Sequence, residues 1–361
     1  MKTNKKQTGT ADKLYFSNLT IKSYVCLLIT TIISIVLLCI YIPPFKAERH
    51  FRDGFNLGAN KRYQYAIQEL EKAKYYAPWE SHYQVQLAKY YEEYSQQQTA
   101  NAAKVELLKK AKAIYLNIIK LDKQNPWYRN RLAQTYQLLA NADPANASFY
   151  KEKVEENIRL GAELDKQNPL FQLNYASYLH KNGQFDEAKK YYQKVIEYDD
   201  SFGEAFYNLA DIYRQENNLE KTLYYYEALY ESNPDFGKIS LALASTYIML
   251  DQKDKAIFHL EREINKDPKQ FDPLRSLAAL YHQKSEWIKS ASAYKLILTY
   301  FPEKKEVHPY YIQSLINAGR FQLAIQELET FIQANPSNEQ AKLQLKKIND
   351  FIKKAIKENQ Q

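Results

Sequence analysis

This sequence is poor in three residue types that often shape a fold. Its 361 residues include eight glycines, twelve prolines and two cysteines. So few glycines and prolines argue against β architectures with many turns, and against collagen-like or disordered chains. Both cysteines, Cys26 and Cys39, lie in one apolar segment, which excludes a disulfide framework and a cysteine-based zinc site from the rest of the chain.

Positive charge is concentrated at the two ends of the chain. The formal net charge is +8, but residues 1–23 hold five lysines and one aspartate, and residues 339–361 hold six lysines and three acidic residues. The body between these ends is close to neutral. Nucleic-acid binding needs basic side chains that follow phosphates along a surface, and this distribution does not supply them. We therefore expect no nucleic-acid partner.

One long apolar run lies near the N-terminus. Residues 24–42 contain no charged side chain, and a helix of that length spans roughly 28 Å, close to the thickness of the hydrocarbon core of a membrane. A tyrosine stands at each edge, and Pro43 and Pro44 are expected to end the helix. A cleavable signal peptide would need a shorter run and a small-residue cleavage site. The sequence thus predicts a transmembrane helix over 24–42, preceded by a lysine-rich tail over 1–23.

The sequence indicates the orientation of this span in the membrane less clearly than it indicates the span itself. Five lysines precede it, and five basic residues follow it within 43–62, so the positive-inside count is nearly even. A short lysine-rich tail before an uncleaved segment usually stays in the cytoplasm. We expect a single-pass membrane protein with a cytoplasmic N-terminus and an extracytoplasmic body. The opposite arrangement, with the body facing the cytoplasm, stays open.

The body has an internal period of 34 residues when it is aligned from residue 47. The eighth position of each repeat is small, the eleventh is tyrosine or leucine, the twentieth is mostly small, and proline often stands near the end. Small side chains let two antiparallel helices pack closely, tyrosine fills the space between hairpins, and proline ends a helix. The eighth positions are Gly54, Ala88, Ala133, Ala176, Ala210, Ala244 and Ala278, with Ile312 as the exception.

This pattern resembles the tetratricopeptide repeat family over residues 47–338. The resemblance implies an all-α fold, a right-handed superhelical solenoid of about eight helix hairpins. We expect residues 339–361 to form an amphipathic capping helix and tail, with a basic helix on a membrane surface as the alternative. The predicted repeats are 47–80, 81–125, 126–168, 169–202, 203–236, 237–270, 271–304 and 305–338.

Two repeats are longer than the period. Repeats 81–125 and 126–168 exceed it by eleven and nine residues. The additional residues fall between the paired helices, around 96–103 and 141–148. They predict either lengthened helices or a protruding tip at one edge. A feature specific for a partner and a tolerated loop insertion both remain open.

Motifs of catalytic chemistry are missing from the sequence. It has no dinucleotide-binding or P-loop glycine motif, no HExxH and no nucleophile elbow, and its six histidines are scattered without ligand-like spacing. An active site needs groups within mutual reach. We therefore expect no enzymatic activity, no cofactor and no metal site.

The resemblance also implies where a partner would bind. In this family the first helix of each repeat lines a concave groove, to which its second, fifth, ninth and twelfth positions point. In this chain those positions are polar without a large net charge, which suits an extended peptide or a helix of a partner protein. The candidate groove residues are Asn130, Gln134, Gln137, His180, Tyr207, Asp211, Arg214, Arg275 and His282.

A second resemblance covers a short segment and bears on the cellular process that the protein serves. Residues 54–91, directly after the apolar span, look like the repeat-bearing tail of bacterial O-antigen ligase or polymerase-type membrane proteins. The other spans of such enzymes are absent from this sequence. The sequence thus predicts a membrane-tethered scaffold for protein–protein interaction, with an accessory factor of envelope polysaccharide assembly as the alternative, and an envelope-assembly complex as one partner.

Overall fold

The computed structural model describes residues 9–358, and every regular element in that range is helical. The first eight residues of the predicted lysine-rich tail and the last three residues of the predicted C-terminal tail lie outside it. Two short 3₁₀ turns, Pro144–Asn146 and Lys305–Val307, accompany the α-helices. The α-helices are α1 (Gly9–Ala59), α2 (Tyr63–Tyr76), α3 (Ser81–Gln97), α4 (Asn101–Leu121), α5 (Pro126–Ala142), α6 (Ala147–Leu164), α7 (Pro169–Lys181), α8 (Phe185–Tyr198), α9 (Gly203–Gln215), α10 (Leu219–Ser232), α11 (Ile239–Met249), α12 (Lys253–Lys266), α13 (Phe271–Gln283), α14 (Trp287–Tyr300), α15 (His308–Asn317), α16 (Phe321–Ala334) and α17 (Glu339–Glu358).

The helices form a series of hairpins, as the repeat predicts. Contacts divide the chain into two compact units, Met1–Tyr175 and Ala176–Gln361, each with its own buried core. In the first unit the end of α1 packs on α2, α3 on α4, and α5 on α6. In the second unit α9 packs on α10, α11 on α12, α13 on α14, and α15 on α16, while α17 packs against α16. The all-helical hairpin architecture is therefore confirmed.

Small residues occupy the helix crossings. In most repeats the eighth and twentieth positions hold buried alanines, where a larger side chain would hold the helices apart. Thr222 and Ser290 take the twentieth position in two repeats and are also fully buried. The alanines at these two positions, each at most 2% exposed, are Ala66, Ala88, Ala111, Ala133, Ala176, Ala188, Ala210, Ala244, Ala256, Ala278 and Ala324.

The turn inside the hairpin is the same in six repeats. Its fifteenth residue has a positive φ, and the next backbone N–H donates to the carbonyl of the eleventh residue, as in Gln184 to Leu179 at 2.9 Å. This arrangement closes the end of the first helix. Two of the six are glycines, which adopt this conformation without strain. The fifteenth residues are Lys61, Gly183, Asn217, Asp251, Ser285 and Gly319.

Helix α1 does not end at the two prolines, as the sequence predicted it would. It continues through Pro43 and Pro44 to Ala59. Proline removes a helical hydrogen bond, but a helix survives this where other groups or water satisfy the freed carbonyls. The continuation is held by packing, because Ala47 and Gly54 are buried where the end of α1 meets α2. The apolar run and the first hairpin therefore share one helix.

The additional residues of the second and third repeats lengthen their helices. Helices α3, α4, α5 and α6 have 17, 21, 17 and 18 residues, whereas the paired helices of the second compact unit have 10 to 14. The first of the two predicted alternatives is therefore correct. Glu92 of α3 is buried among these lengthened helices, with 8% of its surface exposed. Its Oε1 accepts a 2.5 Å hydrogen bond from the hydroxyl of Thr135 on α5.

Tyrosine–glutamate hydrogen bonds join one hairpin to the next. In three repeats the tyrosine at position eleven donates to a glutamate at position 25 of the preceding repeat. Burial, followed by the nearby carboxylate, raises the pKa of each tyrosine, so the hydroxyl stays protonated as a donor. The pairs are Tyr91 with Glu71, Tyr247 with Glu227 and Tyr281 with Glu261.

Candidate partner-binding surface

Four of the nine predicted groove residues lie together in the second compact unit. Tyr207, Asp211 and Arg214 are four and three residues apart on α9, so they share one face of that helix. His180 comes from the last turn of α7 and reaches the same place. We call these four residues the Asp211 cluster.

The carboxylate of Asp211 holds the cluster together. Its Oδ1 accepts hydrogen bonds from Arg214, at 3.1 Å from Nε and also from Nη2. Its Oδ2 accepts from the Gln215 amide at 2.8 Å and lies 4.0 Å from His180 Nε2. Asp211 and His180 are partly buried, whereas Arg214 is exposed. The guanidinium is thus held at the surface by a carboxylate beneath it.

Two buried tyrosines support the cluster from below, and the sequence reasoning missed both. The Tyr192 hydroxyl donates to Ser177 Oγ at 3.3 Å and lies 3.5 Å from His180 Nδ1. The Tyr226 ring packs on Tyr207, with 5.4 Å between ring centroids. Burial raises the pKa of both Tyr192 and Tyr226 to about 12. Both stand at position 24 of their repeats, and this recurrence was a signal that could have found them.

The cluster has a defined charge at neutral pH. Burial lowers the pKa of His180, although Asp211 opposes this effect, so the imidazole is neutral and offers hydrogen bonds rather than charge. The hydrogen bond that Arg214 donates to Asp211 raises the pKa of Arg214. The surface therefore presents a neutral imidazole, a tyrosine and a neutralised arginine–aspartate pair. Such groups are suited to peptide groups and polar side chains of a partner.

The two remaining groove residues of this unit lie elsewhere. Arg275 is exposed, pairs with Asp272 at 3.2 Å and lies over the Phe271 ring. His282 Nδ1 is 3.3 Å from Ser314 Oγ, and its ring meets Trp287 edge-on at 4.8 Å. Among the described residues, no hydrogen bond or ion pair joins either side chain to the Asp211 cluster.

The three candidates of the first compact unit differ among themselves. Asn130 has 8% exposure and faces Gly161 on α6, where an added Cβ would lie 2.9 Å from its Oδ1. The glycine opposite leaves room for the Asn130 side chain inside the hairpin. Asn130 therefore does not line an open groove. Gln134 is exposed and accepts from Arg131 at 3.2 Å, and Gln137 is half-buried and donates to Asn141 at 3.2 Å. These two stay predictions.

In the part of the chain that the structure describes, no three His, Cys, Asp or Glu side chains are grouped as they would be around an ion.

Comparison with protein families identifies one segment. Residues 175–235 match the tetratricopeptide repeat family. The matched segment contains the whole Asp211 cluster together with Tyr192 and Tyr226. The prediction of tetratricopeptide repeats is confirmed for this segment, and proteins built from such repeats are in general scaffolds for protein–protein interaction. No curated protein matches the chain.

Solved structures with similar folds include two that are described as TPR proteins. YrrB, described as "a TPR protein with an unusual peptide-binding site", is 17% identical, covers 54% of this chain and 99% of its own length, and has a TM-score of 0.44. TTC0263, a protein of Thermus thermophilus, is 18% identical, covers 56% of this chain and 99% of its own, at a TM-score of 0.38. The pilF protein of Pseudomonas aeruginosa is 16% identical, covers 64% and 96%, at a TM-score of 0.45. At these scores the likeness carries no further argument.

Proposed function

We propose that this chain is a membrane-tethered scaffold that binds a peptide or helix segment of a partner protein at the Asp211 cluster. One observation carries the proposal. Four residues predicted as partner-binding from their repeat positions meet in one place, within the segment that matches the tetratricopeptide repeat family. A cluster that is supported from below and partly open above can recognise a segment without a large rearrangement.

The tether is the apolar part of α1. The segment Ser23–Ala59 contains an 18-residue window with a mean hydropathy of 2.9, and none of that window is buried against the rest of the protein. An exposed apolar helix of this length is costly in water and stable in lipid. We propose that it spans the membrane with the N-terminus in the cytoplasm and the hairpins outside. Protease treatment of intact cells tests the sidedness, because it would cleave the hairpins only in that orientation.

A binding role fits the chemistry of the cluster better than catalysis. Asp211 is already engaged by Arg214, and the tyrosines beneath, with pKa values of about 12, are poor proton donors or acceptors near neutral pH. These groups are arranged to satisfy one another and to present a polar surface. We propose no catalytic role for them.

The identity of the bound partner decides which cellular process the scaffold serves. The resemblance of residues 54–91 to the tails of O-antigen ligase or polymerase-type proteins supports envelope polysaccharide assembly as the alternative function. In that case the captured protein belongs to the assembly machinery, and the mode of capture is the same.

Photocrosslinking from the cluster tests the proposal. A photoreactive residue at exposed Gln215 of the full-length protein, in its native membrane, should yield one dominant crosslinked protein. Asp211→Asn and Arg214→Ala should each reduce that product strongly, because they remove the ion pair that orders the surface. Arg320→Ala, an exposed arginine in another repeat of the same compact unit, is the matched control and should leave it unchanged. Equal yields from all three variants would refute binding at this surface.

A further inference from the structure

The first hairpin folds back towards the apolar part of α1. Helix α2 runs back along α1, and its last residue, Tyr76, stacks on His50 with ring centroids 5.7 Å apart. The Lys46 ammonium lies 5.4 Å from the centroid of the Tyr76 ring. The end of α2 is therefore beside residues 46–50 of α1, directly after the apolar run.

The start of α3 lies at the same level. The Tyr83 hydroxyl donates to Glu48 Oε2 at 2.9 Å, and the Tyr83 ring packs on Phe51 with 4.7 Å between centroids. The α2–α3 turn, residues 77–80, is thus fixed at both ends next to this part of α1. Because α1 is unbroken, Lys46 stands only about 6 Å along the helix axis beyond Ile42, the last residue of the apolar run.

Large aromatic side chains are exposed at this level. Tyr41 and Phe45 on α1 are 69% and 72% exposed, Tyr75 near the end of α2 is 78% exposed, and Trp79 in the turn is 64% exposed. Burying side chains of this size is favourable, and tyrosine and tryptophan are enriched where hydrocarbon meets headgroups. A later turn of the same compact unit repeats the Pro-Trp pair; there the ring of Trp127 is 52% exposed and packs edge-on against Phe171 at 4.9 Å.

We infer that the α2–α3 turn docks on the membrane that α1 crosses, with Tyr75 and Trp79 inserted among the lipid headgroups beside Phe45. The occupant of this aromatic surface is the lipid interface, because the surface is continuous with the apolar run of α1. This inference rests on the proposed tether. Docking at a second point besides α1 would fix the angle between the first hairpin and the bilayer.

Quenching of tryptophan by brominated lipid tests this docking in the full-length protein. The reporter is Trp127→Phe/Trp287→Phe, which leaves Trp79 as the single tryptophan and keeps a ring at both other positions. In vesicles of phosphatidylcholine brominated along the acyl chain, Trp79 should lose much of its emission relative to unbrominated vesicles, and its spectrum should shift to the blue. Circular dichroism confirms that the variant is folded.

A matched control uses the other end of the same helix. Tyr65 is exposed on α2, eleven residues before Tyr76 and so roughly 16 Å further from the membrane. A Tyr65→Trp reporter, with all three native tryptophans changed to phenylalanine, should keep its emission. If Trp79 keeps its emission too, or if both reporters are quenched equally, docking through the turn is refuted.

Carbonate extraction of the same vesicles separates the two proposals. Protein that resists extraction while Trp79 remains unquenched refutes the docking and leaves the tether intact. Protein that is released from the vesicles refutes the tether, and the docking falls with it. A second measurement is hydrogen exchange at the backbone amides of Ala77 and Glu80, which should be slower in vesicles for the native chain than for Tyr75→Glu/Trp79→Glu. Equal exchange rates would also contradict docking.

Discussion

Glu92 should make the lengthened hairpins less stable as pH rises. Burial raises the pKa of this carboxyl to about 7, against an opposing hydrogen bond from Thr135 and the charge of Arg131. The ordinary value is 4.5, so between about pH 4.5 and 7 the folded state binds the proton that the unfolded state has released. Stability is therefore highest below this window and falls as pH rises through it.

The magnitude follows from the size of the shift. Each unit of pKa corresponds to about 1.4 kcal/mol, so the free energy of unfolding should fall by roughly 2–3 kcal/mol between pH 5 and pH 8 because of Glu92. Glu92→Gln removes the titration and keeps a carbonyl oxygen that can accept from Thr135. We compare the free energy of unfolding of the variant with that of the native chain at each pH. The difference, variant minus native, should be about 2–3 kcal/mol larger at pH 8 than at pH 5.

Urea unfolding of the full-length protein in detergent, followed by far-ultraviolet circular dichroism at both pH values, measures this difference. Any fixed packing cost of the amide cancels when the two pH values are compared. Glu152→Gln, an exposed carboxyl on α6, is the control and should leave the pH dependence as it is. If Glu92→Gln shows the same pH dependence as the native chain, the burial argument is wrong.

Three further substitutions test the packing, each by urea unfolding. Tyr281→Phe should lower stability by about 1–3 kcal/mol, because the hydroxyl donates to the carboxylate of Glu261; a double-mutant cycle with Glu261→Gln that gives no coupling would contradict a direct bond. Gly58→Ala should cost about 1–3 kcal/mol, because the new Cβ would overlap the ring of Tyr90, and an unchanged midpoint would show that the ring moves freely. Tyr115→Phe should be neutral or stabilising by up to about 1 kcal/mol, since the buried Tyr115 hydroxyl has no hydrogen-bond partner among the described residues; a large loss of stability would reveal a hidden partner.

Much of the architecture was readable from the sequence because its causes are local. A small residue at positions eight and twenty, a tyrosine or leucine at eleven and a proline near the end specify two helices and a turn, wherever they recur along the chain. Residues seven apart on α9, such as Tyr207 and Arg214, must share a face, so part of the Asp211 cluster was predictable as well. The apolar run of α1 was equally evident, because its length and composition need no partner to be recognised.

Other features depended on what lies opposite each side chain, which only the tertiary structure decided. The repeat register gave Asn130 a groove position, but Gly161, on the facing helix, leaves the space that buries it. Local rules end a helix at Pro43 and Pro44, whereas packing of the following turns on α2 continues it. The raised pKa of Glu92 arises from helices that enclose it, and the tyrosine–glutamate bonds join residues twenty apart in successive repeats. The sequence alone determined the helices and their order, and the contacts between facing helices determined which of their polar groups are buried, paired or left open to a partner.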